Sequence, residues 1–419
     1  MNTVGEKYAA VRSRTEALAT PLSAEDACVQ AMPDASPAKW HLAHTTWFFE
    51  TFILKPGDPA YRDFHPAFGF LFNSYYNALG ERHPRPKRGL LTRPSLEEVR
   101  TYRRHVDEAM ARLLETGAVP GELLDLGLNH EQQHQELLLT DLKALLAQNP
   151  LKPAYGGAAL PPGPAAPQAW RAFEGGLVEV GFKGAGFAGG AFAEGGFAFD
   201  NEGPRHRVFL EPFELAARPA TCGEWLAFIE AGGYRRPELW LSDGWDALQR
   251  EGWGAPEYWR HTEGGWRVHT LQGERAVDPE EAVSHVSSYE ADAFARWMDL
   301  EGGCPGARLP TEFEWEHAAA GQPVVGNFAD AGAYHPGPAR AGMFGDIWQW
   351  TASAYLPYPG FRPAPGAVGE YNGKFMSGQT VLRGGSCATP ADHVRATYRN
   401  FFPPSARWQF TGLRLARTR

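Results

Sequence analysis

In the first 150 residues apolar positions recur at helical spacing in four stretches; after that the helical pattern breaks into shorter pieces. A first helix is predicted around residues 6–19. Ser36-Pro37 sets a capping residue before a proline at the first helical position, and WHLAHTTWFFETFIL then carries helically spaced apolar residues. Ser95 with Glu98 forms a capping box that opens a third helix, VRTYRRHVDEAMARLLE. The fourth covers residues 128–148, LNHEQQHQELLLTDLKALLAQ. A four-helix bundle is the economical way to bury four such faces. Residues 55–94 interrupt the pattern with a Pro/Gly/aromatic stretch whose many Phe and Tyr predict an ordered loop, and loops this long inside a compact domain are usually functional.

Beyond residue 150 the apolar runs are short, as in GLVEVGF, HRVFLEPFEL and TVLRGGS, and glycines separate them. Two helices stand out there, TCGEWLAFIEAGG and SSYEADAFARWMDLEG. Small twisted sheets and long ordered loops held by buried aromatics are the expected result. Composition marks the same break, since only 8 of the 47 glycines and 2 of the 14 tryptophans fall in residues 1–150. The proline-rich run ending at residue 169 cannot continue a helix. The predicted organisation is therefore α+β: a helical bundle over 1–150, a Pro/Gly-rich linker over 151–169 and a second domain over 170–419. No internal repeat is visible.

With 40 Lys+Arg against 49 Asp+Glu and no basic run, the chain lacks the footprint that nucleic acid or an anionic membrane would require. The first twenty residues contain no continuous apolar segment, and no run approaches the roughly 18 residues of a membrane span. A soluble, cytoplasmic protein with neither nucleic-acid nor membrane partners is expected. Cys28, Cys222, Cys304 and Cys387 are too scattered for a metal knuckle or a disulfide framework, and read as free thiols.

The candidate chemistry is imidazole. His130 and His134, four apart on one helix, share a face and have the spacing of a chelating pair. Two ligands do not hold a divalent ion against water, and the helix after Ser36 offers His41 and His44 as a third. A lone histidine pair is as readily a hydrogen-bonded pair of helix side chains. Glu136, a carboxylate near the pair, and the apolar surroundings shift the balance toward metal. HEQQH also matches the HExxH of zinc proteases, with Glu131 as base, but no usual third protease ligand follows. Three neutral imidazoles on one face of an octahedral ion leave positions for substrate and dioxygen, which suits redox-active iron better than zinc, although ligand type alone leaves the metal open.

SPAKWHLAHTTW (36–47) together with NHEQQHQE (129–136) resembles the metal-binding DinB-like bundle of the sulfoxide synthases of ergothioneine biosynthesis. FDNEGPRHRV, ARLPTEFEWEHAA, MFGDIWQWTAS, VLRGGS and RNFFPPSARWQFTGLRLAR resemble the formylglycine-generating-enzyme-like domain, a variant of the C-type lectin fold. The cysteine pair by which formylglycine enzymes hold copper is missing. The resemblance implies a non-haem Fe(II) on His44, His130 and His134, with His41 outside the ligand set. It implies dioxygen as co-substrate and a reaction joining a cysteine thiol to imidazole C2 of hercynine (Nα-trimethylhistidine), the sulfur becoming a sulfoxide. Gln133, Tyr371 and Asn400 match hercynine contacts of the family, and Arg85 and Arg88 match arginines that bind the thiol substrate's carboxylates. Asn400-Phe401-Phe402 stands where γ-glutamylcysteine users have Asn-Trp-Asp, so Phe402 removes a carboxylate and free cysteine becomes the expected donor. An active-site tyrosine of those members has no counterpart near Val368, whereas Tyr75 and Tyr76 match a tyrosine pair of the cysteine-using branch. On extended backbone the two rings would point to opposite sides, so one is expected to act and the other to pack. Within the same fold an ovothiol-type synthase using histidine and a selenoneine synthase are alternatives; a silent ligand-binding protein is the alternative from another class.

Overall fold

A computed structural model describes residues 3–184 and 196–419. The described chain forms two compact units that interleave along the sequence. The first comprises residues 1–150, 184–200 and 362–373; the second comprises 151–183, 201–361 and 374–419.

The first unit is built on four long helices: α1 (Val4–Ala19), α2 (Ala38–Phe49), α5 (Leu96–Glu115) and α6 (Gly121–Gln148). Two short ones, α3 (Lys55–Gly57) and α4 (Phe68–Phe72), lie in the aromatic stretch. The α5 capping box forms as predicted, with the Glu98 amide donating to Ser95 Oγ. At α2 the expectation is off by one residue. Pro37 itself is the N-cap, while Ser36 turns away, its amide donating to Asp141 Oδ2 (2.7 Å) and its hydroxyl accepting from Arg88. The last helix, from Gly121 to Gln148, contains the predicted 128–148 stretch.

All twelve residues of α2 are buried, so it is the central helix, packed on α5 and α6. The approach to α6 is close at Gly127, where a Cβ would lie 2.7 Å from the Phe49 ring. A π-helical turn, Glu50–Leu54, prolongs α2. The buried Glu50 carboxylate there accepts from the hydroxyls of Tyr61 (2.6 Å) and Tyr102 (2.5 Å), tying the aromatic stretch to α5. That stretch is ordered, as its aromatic content predicts.

The second unit contains thirteen short strands among the described residues. β1 (Trp170–Phe173), β4 (Phe213–Ala216), β13 (Ala416–Thr418) and β8 (Ala307–Arg308) form one antiparallel sheet in the order β1-β4-β13-β8. β9 (Trp348–Ala354), β10 (Thr380–Arg383), β11 (Asn400–Phe402) and β12 (Thr411–Leu413) form another in the order β11-β10-β9-β12, with β12 parallel to β9. A hairpin, β2 (Gly176–Val180) with β3 (His206–Leu210), and a meander of β5 (Trp259–Thr262), β6 (Gly265–Thr270) and β7 (Gly273–Ala276) complete it. Helices α7 (Cys222–Glu230) and α9 (Ser288–Leu300) are the two expected; α8 (Ser242–Glu251) and α10 (Glu312–Ala319) are additional. Trp315 of α10 sits in the core with Phe213, Leu215, Phe328 and Phe344. None of the described helices is long and apolar enough to cross a membrane.

Candidate metal centre

Trp40, His44 and Trp47 recur along one face of α2, and both indoles stack on the imidazole, with centroids at 4.5 and 5.5 Å. His44 Nδ1 donates to the Phe72 carbonyl (2.6 Å), so Nε2 carries the free lone pair. Across from it on α6 stand His130 and His134, and the three side chains bring one ligand atom each to within 4.8 Å of one another. His44 Nε2 and His130 Nε2 are 3.1 Å apart. Two nitrogens about 2.0–2.1 Å from one ion lie about 3.0 Å apart at a right angle and about 3.4 Å apart in a tetrahedron. The observed spacing lets both nitrogens ligate one ion. His130 Nδ1 is buried without a hydrogen-bond partner among the described residues. Burial holds all three imidazoles far below the ordinary histidine value, His130 at about 3, so they stay neutral and able to ligate.

Glu131 occupies a different environment. Its carboxylate, wholly buried, accepts from Arg12 (2.9 Å) and Arg103 (3.0 Å); although burial opposes ionisation, the two guanidiniums bring it to about 2. It is a structural ion pair and no protease base. Glu131→Gln removes the buried charge that Arg12 and Arg103 share, although these keep Asp107 and Glu16, and should cost about 2 kcal/mol of stability in urea unfolding, while a Glu131 poised for catalysis would be replaceable at little cost.

Around the imidazoles the unit gathers several of the sequence-selected residues. Tyr371 donates from its hydroxyl to Gln133 Oε1, and its ring meets His130 edge-on at 5.7 Å. The segment carrying it is fastened by Glu370, whose carboxylate accepts from the amides of Asn77 (3.0 Å) and Ala78 (2.8 Å). Tyr75 meets Tyr371 edge-on at 6.2 Å and stacks on Tyr76 at 4.7 Å. The expectation that the two phenols point to opposite sides is therefore overturned: the chain bends at Tyr75, and Tyr76, at φ −79°, ψ 85°, is not in an extended strand. The Tyr76 side chain is buried, and its hydroxyl interacts with that of Tyr75. Burial pushes both phenols upward, so both remain protonated.

The paired arginines diverge. Arg85 is exposed and donates to the Asp34 carbonyl. Arg88 is buried, its guanidinium 3.3 Å above the Trp40 ring that stacks on His44. Among the described residues its hydrogen bonds go to the hydroxyls of Ser36 (2.9 Å) and Ser74 (3.3 Å), and Nε has no partner. A buried cation hydrogen-bonded by neutral hydroxyls, with the Asp141 charge also acting on it, can receive an anion. In the second unit Asn400, Phe401 and Phe402 form β11, where Phe401 stacks on Tyr355 (4.0 Å) and Phe402 meets Trp408 edge-on (5.8 Å).

Sequence reasoning missed Trp40 and Asp141. A signal existed for each: Trp40 lies one turn before His44, and Asp141 two turns after His134, each on the same helix face as its histidine.

The DinB superfamily model matches residues 7–138, and that of the sulfatase-modifying factor enzyme 1-like domain matches 186–339 and 332–419. Three buried imidazoles in a DinB bundle, joined to a sulfatase-modifying-factor-like domain, define a class of two-domain oxygenases. The hercynine oxygenase of Mycolicibacterium thermoresistibile is 33% identical over 92% of this chain and 88% of that protein. Those of Mycobacterium tuberculosis and Mycolicibacterium smegmatis are 34% and 32% identical over 93% and 99% of this chain, and 92% and 98% of their own. The chain belongs to the hercynine oxygenase family of ergothioneine biosynthesis.

Proposed function

We propose that this chain is a non-haem iron(II) sulfoxide synthase that joins the thiol of cysteine to C2 of the hercynine imidazole. The observation that carries the reading is the convergence of three buried neutral imidazoles, His44, His130 and His134, near the buried Arg88, whose hydrogen bonds among the described residues go to serine hydroxyls. Iron held there would supply the redox capacity for the overall reaction, in which one dioxygen accepts four electrons while a C–H and an S–H bond are lost, a C–S bond and a sulfoxide form, and water leaves. Arg88 takes the cysteine carboxylate, so the thiol is delivered at a defined distance from the imidazoles. Gln133, oriented by Tyr371, offers its amide to the hercynine imidazole, and Tyr76 or Tyr75 moves a proton at its phenol oxygen. Asn400, with Phe401 and Phe402 on the same strand, is assigned a substrate contact by the family resemblance. In this reading the enzyme works in the cytoplasm on small molecules alone.

The test is oxygen uptake by the iron-loaded full chain with hercynine and cysteine, the product identified by mass. Uptake only with histidine would favour an ovothiol-type enzyme, and coupling of a selenium donor in place of cysteine a selenoneine synthase. Tight hercynine binding without uptake would favour a silent binding protein. With Phe402 in place of a carboxylate, the ammonium of γ-glutamylcysteine would go unpaired. Cysteine should therefore be preferred by at least ~2 kcal/mol, more than tenfold in kcat/KM. Steady-state kinetics favouring γ-glutamylcysteine would overturn that specificity.

A further inference from the structure

We propose that Asp141 and His41 form a hydrogen-bond relay that fixes the tautomer of His134 and strengthens it as a metal donor. The proposal rests on the reading of His44, His130 and His134 as ligands. His41 lies between a carboxylate and a ligand: its Nε2 is 3.1 Å from Asp141 Oδ2 and its Nδ1 is 2.8 Å from His134 Nδ1. His41 and Asp141 are 2% and 5% exposed, so the contact is screened from water.

Two facing ring nitrogens at 2.8 Å share one proton. If His41 supplied it, a neutral His41 would turn an unprotonated Nε2 toward the Asp141 carboxylate, lone pair against charge. If His134 supplies it, His41 Nε2–H donates to Asp141 and His41 Nδ1 accepts from His134. With His41 neutral, the second arrangement is the one that satisfies both contacts, and it leaves His134 Nε2 with a free lone pair for the ion; an imidazolium at His41 would instead donate to both neighbours. The Ser36 amide, donating to Asp141 Oδ2 at 2.7 Å, holds the carboxylate in place.

The three ligands thus have unequal support. His44 Nδ1 donates to a neutral carbonyl and His130 Nδ1 has no partner among the described residues, whereas His134 donates into a chain that ends in an anion. Electron density pushed along that chain makes His134 the most basic donor of the set and favours the oxidised ion over the reduced one. His41 and Asp141 are positioning residues that act through His134.

The experiment titrates metal-free full-length protein with Co(II) and measures the Fe(III)/Fe(II) potential of the iron-loaded form, for the parent, Asp141→Asn, His41→Phe and the double variant. Asp141→Asn keeps the shape and removes the charge, and His41→Phe keeps the ring and cuts the chain. Each should weaken Co(II) binding by ~10–100-fold. Each should also raise the potential, by about 59 mV per tenfold loss in preference for the oxidised ion. Because Asp141 acts through His41, the double variant should match His41→Phe rather than sum the two effects. A parent that binds no Co(II) would sink the three-histidine reading, and the relay with it. A parent that binds, with either single variant unshifted in potential or with strictly additive effects, would overturn the relay alone.

Discussion

His130→Ala should leave a folded chain that no longer retains its metal. Among the described residues the imidazole makes no hydrogen bond through Nδ1, so its removal gives up the contact with His44 Nε2 and the ring contacts with Phe48 (4.7 Å) and Tyr371 (5.7 Å) and leaves a small cavity. The two remaining ligands come from different helices, and the open coordination position admits water. Metal analysis after gel filtration should fall from about one ion per chain to a small fraction, with far-ultraviolet circular dichroism unchanged. His44→Ala should do the same but cost more stability, since it also strips the Trp40 and Trp47 stacks and the bond to Phe72. Full occupancy in His130→Ala would remove that residue from the ligand set.

The second large effect is expected at Tyr76. Thiol and dioxygen brought together can yield two products: the sulfur oxidised alone to a sulfinic acid, or the sulfur coupled to imidazole. A phenol that stays protonated can deliver a proton and steer the outcome to coupling. Tyr76 is suited to this because it is buried, its ring packed against those of Trp47 and Phe52 and stacked on Tyr75. Tyr76→Phe keeps the ring and gives up only the contact with the Tyr75 hydroxyl, so it should change stability by no more than about 1 kcal/mol. Its coupling rate should fall by ~10²–10⁴, with cysteine sulfinic acid rising in the product. Tyr75→Phe should change the ratio less, because Tyr75 supports Tyr76 by stacking. Unchanged rate and product ratio in both variants and in the double variant would end the phenol hypothesis.

Much of the helical unit was readable from residue order, because its signals are local. The Ser95–Glu98 box and the i, i+4 histidines act within one or two turns, and both appear where the pattern puts them. α10 escaped detection although Thr311 and Glu314 carry the same box, since eight residues are too few for a periodic apolar face to emerge. Ser36 was misread for a related reason. Its amide and hydroxyl are taken by Asp141 and Arg88, 105 and 52 residues away, and those long-range bonds outweigh a local cap.

By itself, then, the sequence determined the α+β class, the two imidazoles one turn apart on α6 and the candidate set that included His44, because periodicity and spacing operate within a helix. Tertiary structure decided which atoms meet. It set His44 against His130 over 86 positions, His41 against His134 over 93 and Tyr371 against Gln133 over 238. It also turned Tyr75 and Tyr76 into one stack and buried Arg88 while leaving Arg85 in solvent. The reason is physical: burial and hydrogen-bond satisfaction are properties of the packed unit, and a side chain's neighbours exist only once the helices and the returning 362–373 segment have closed around it.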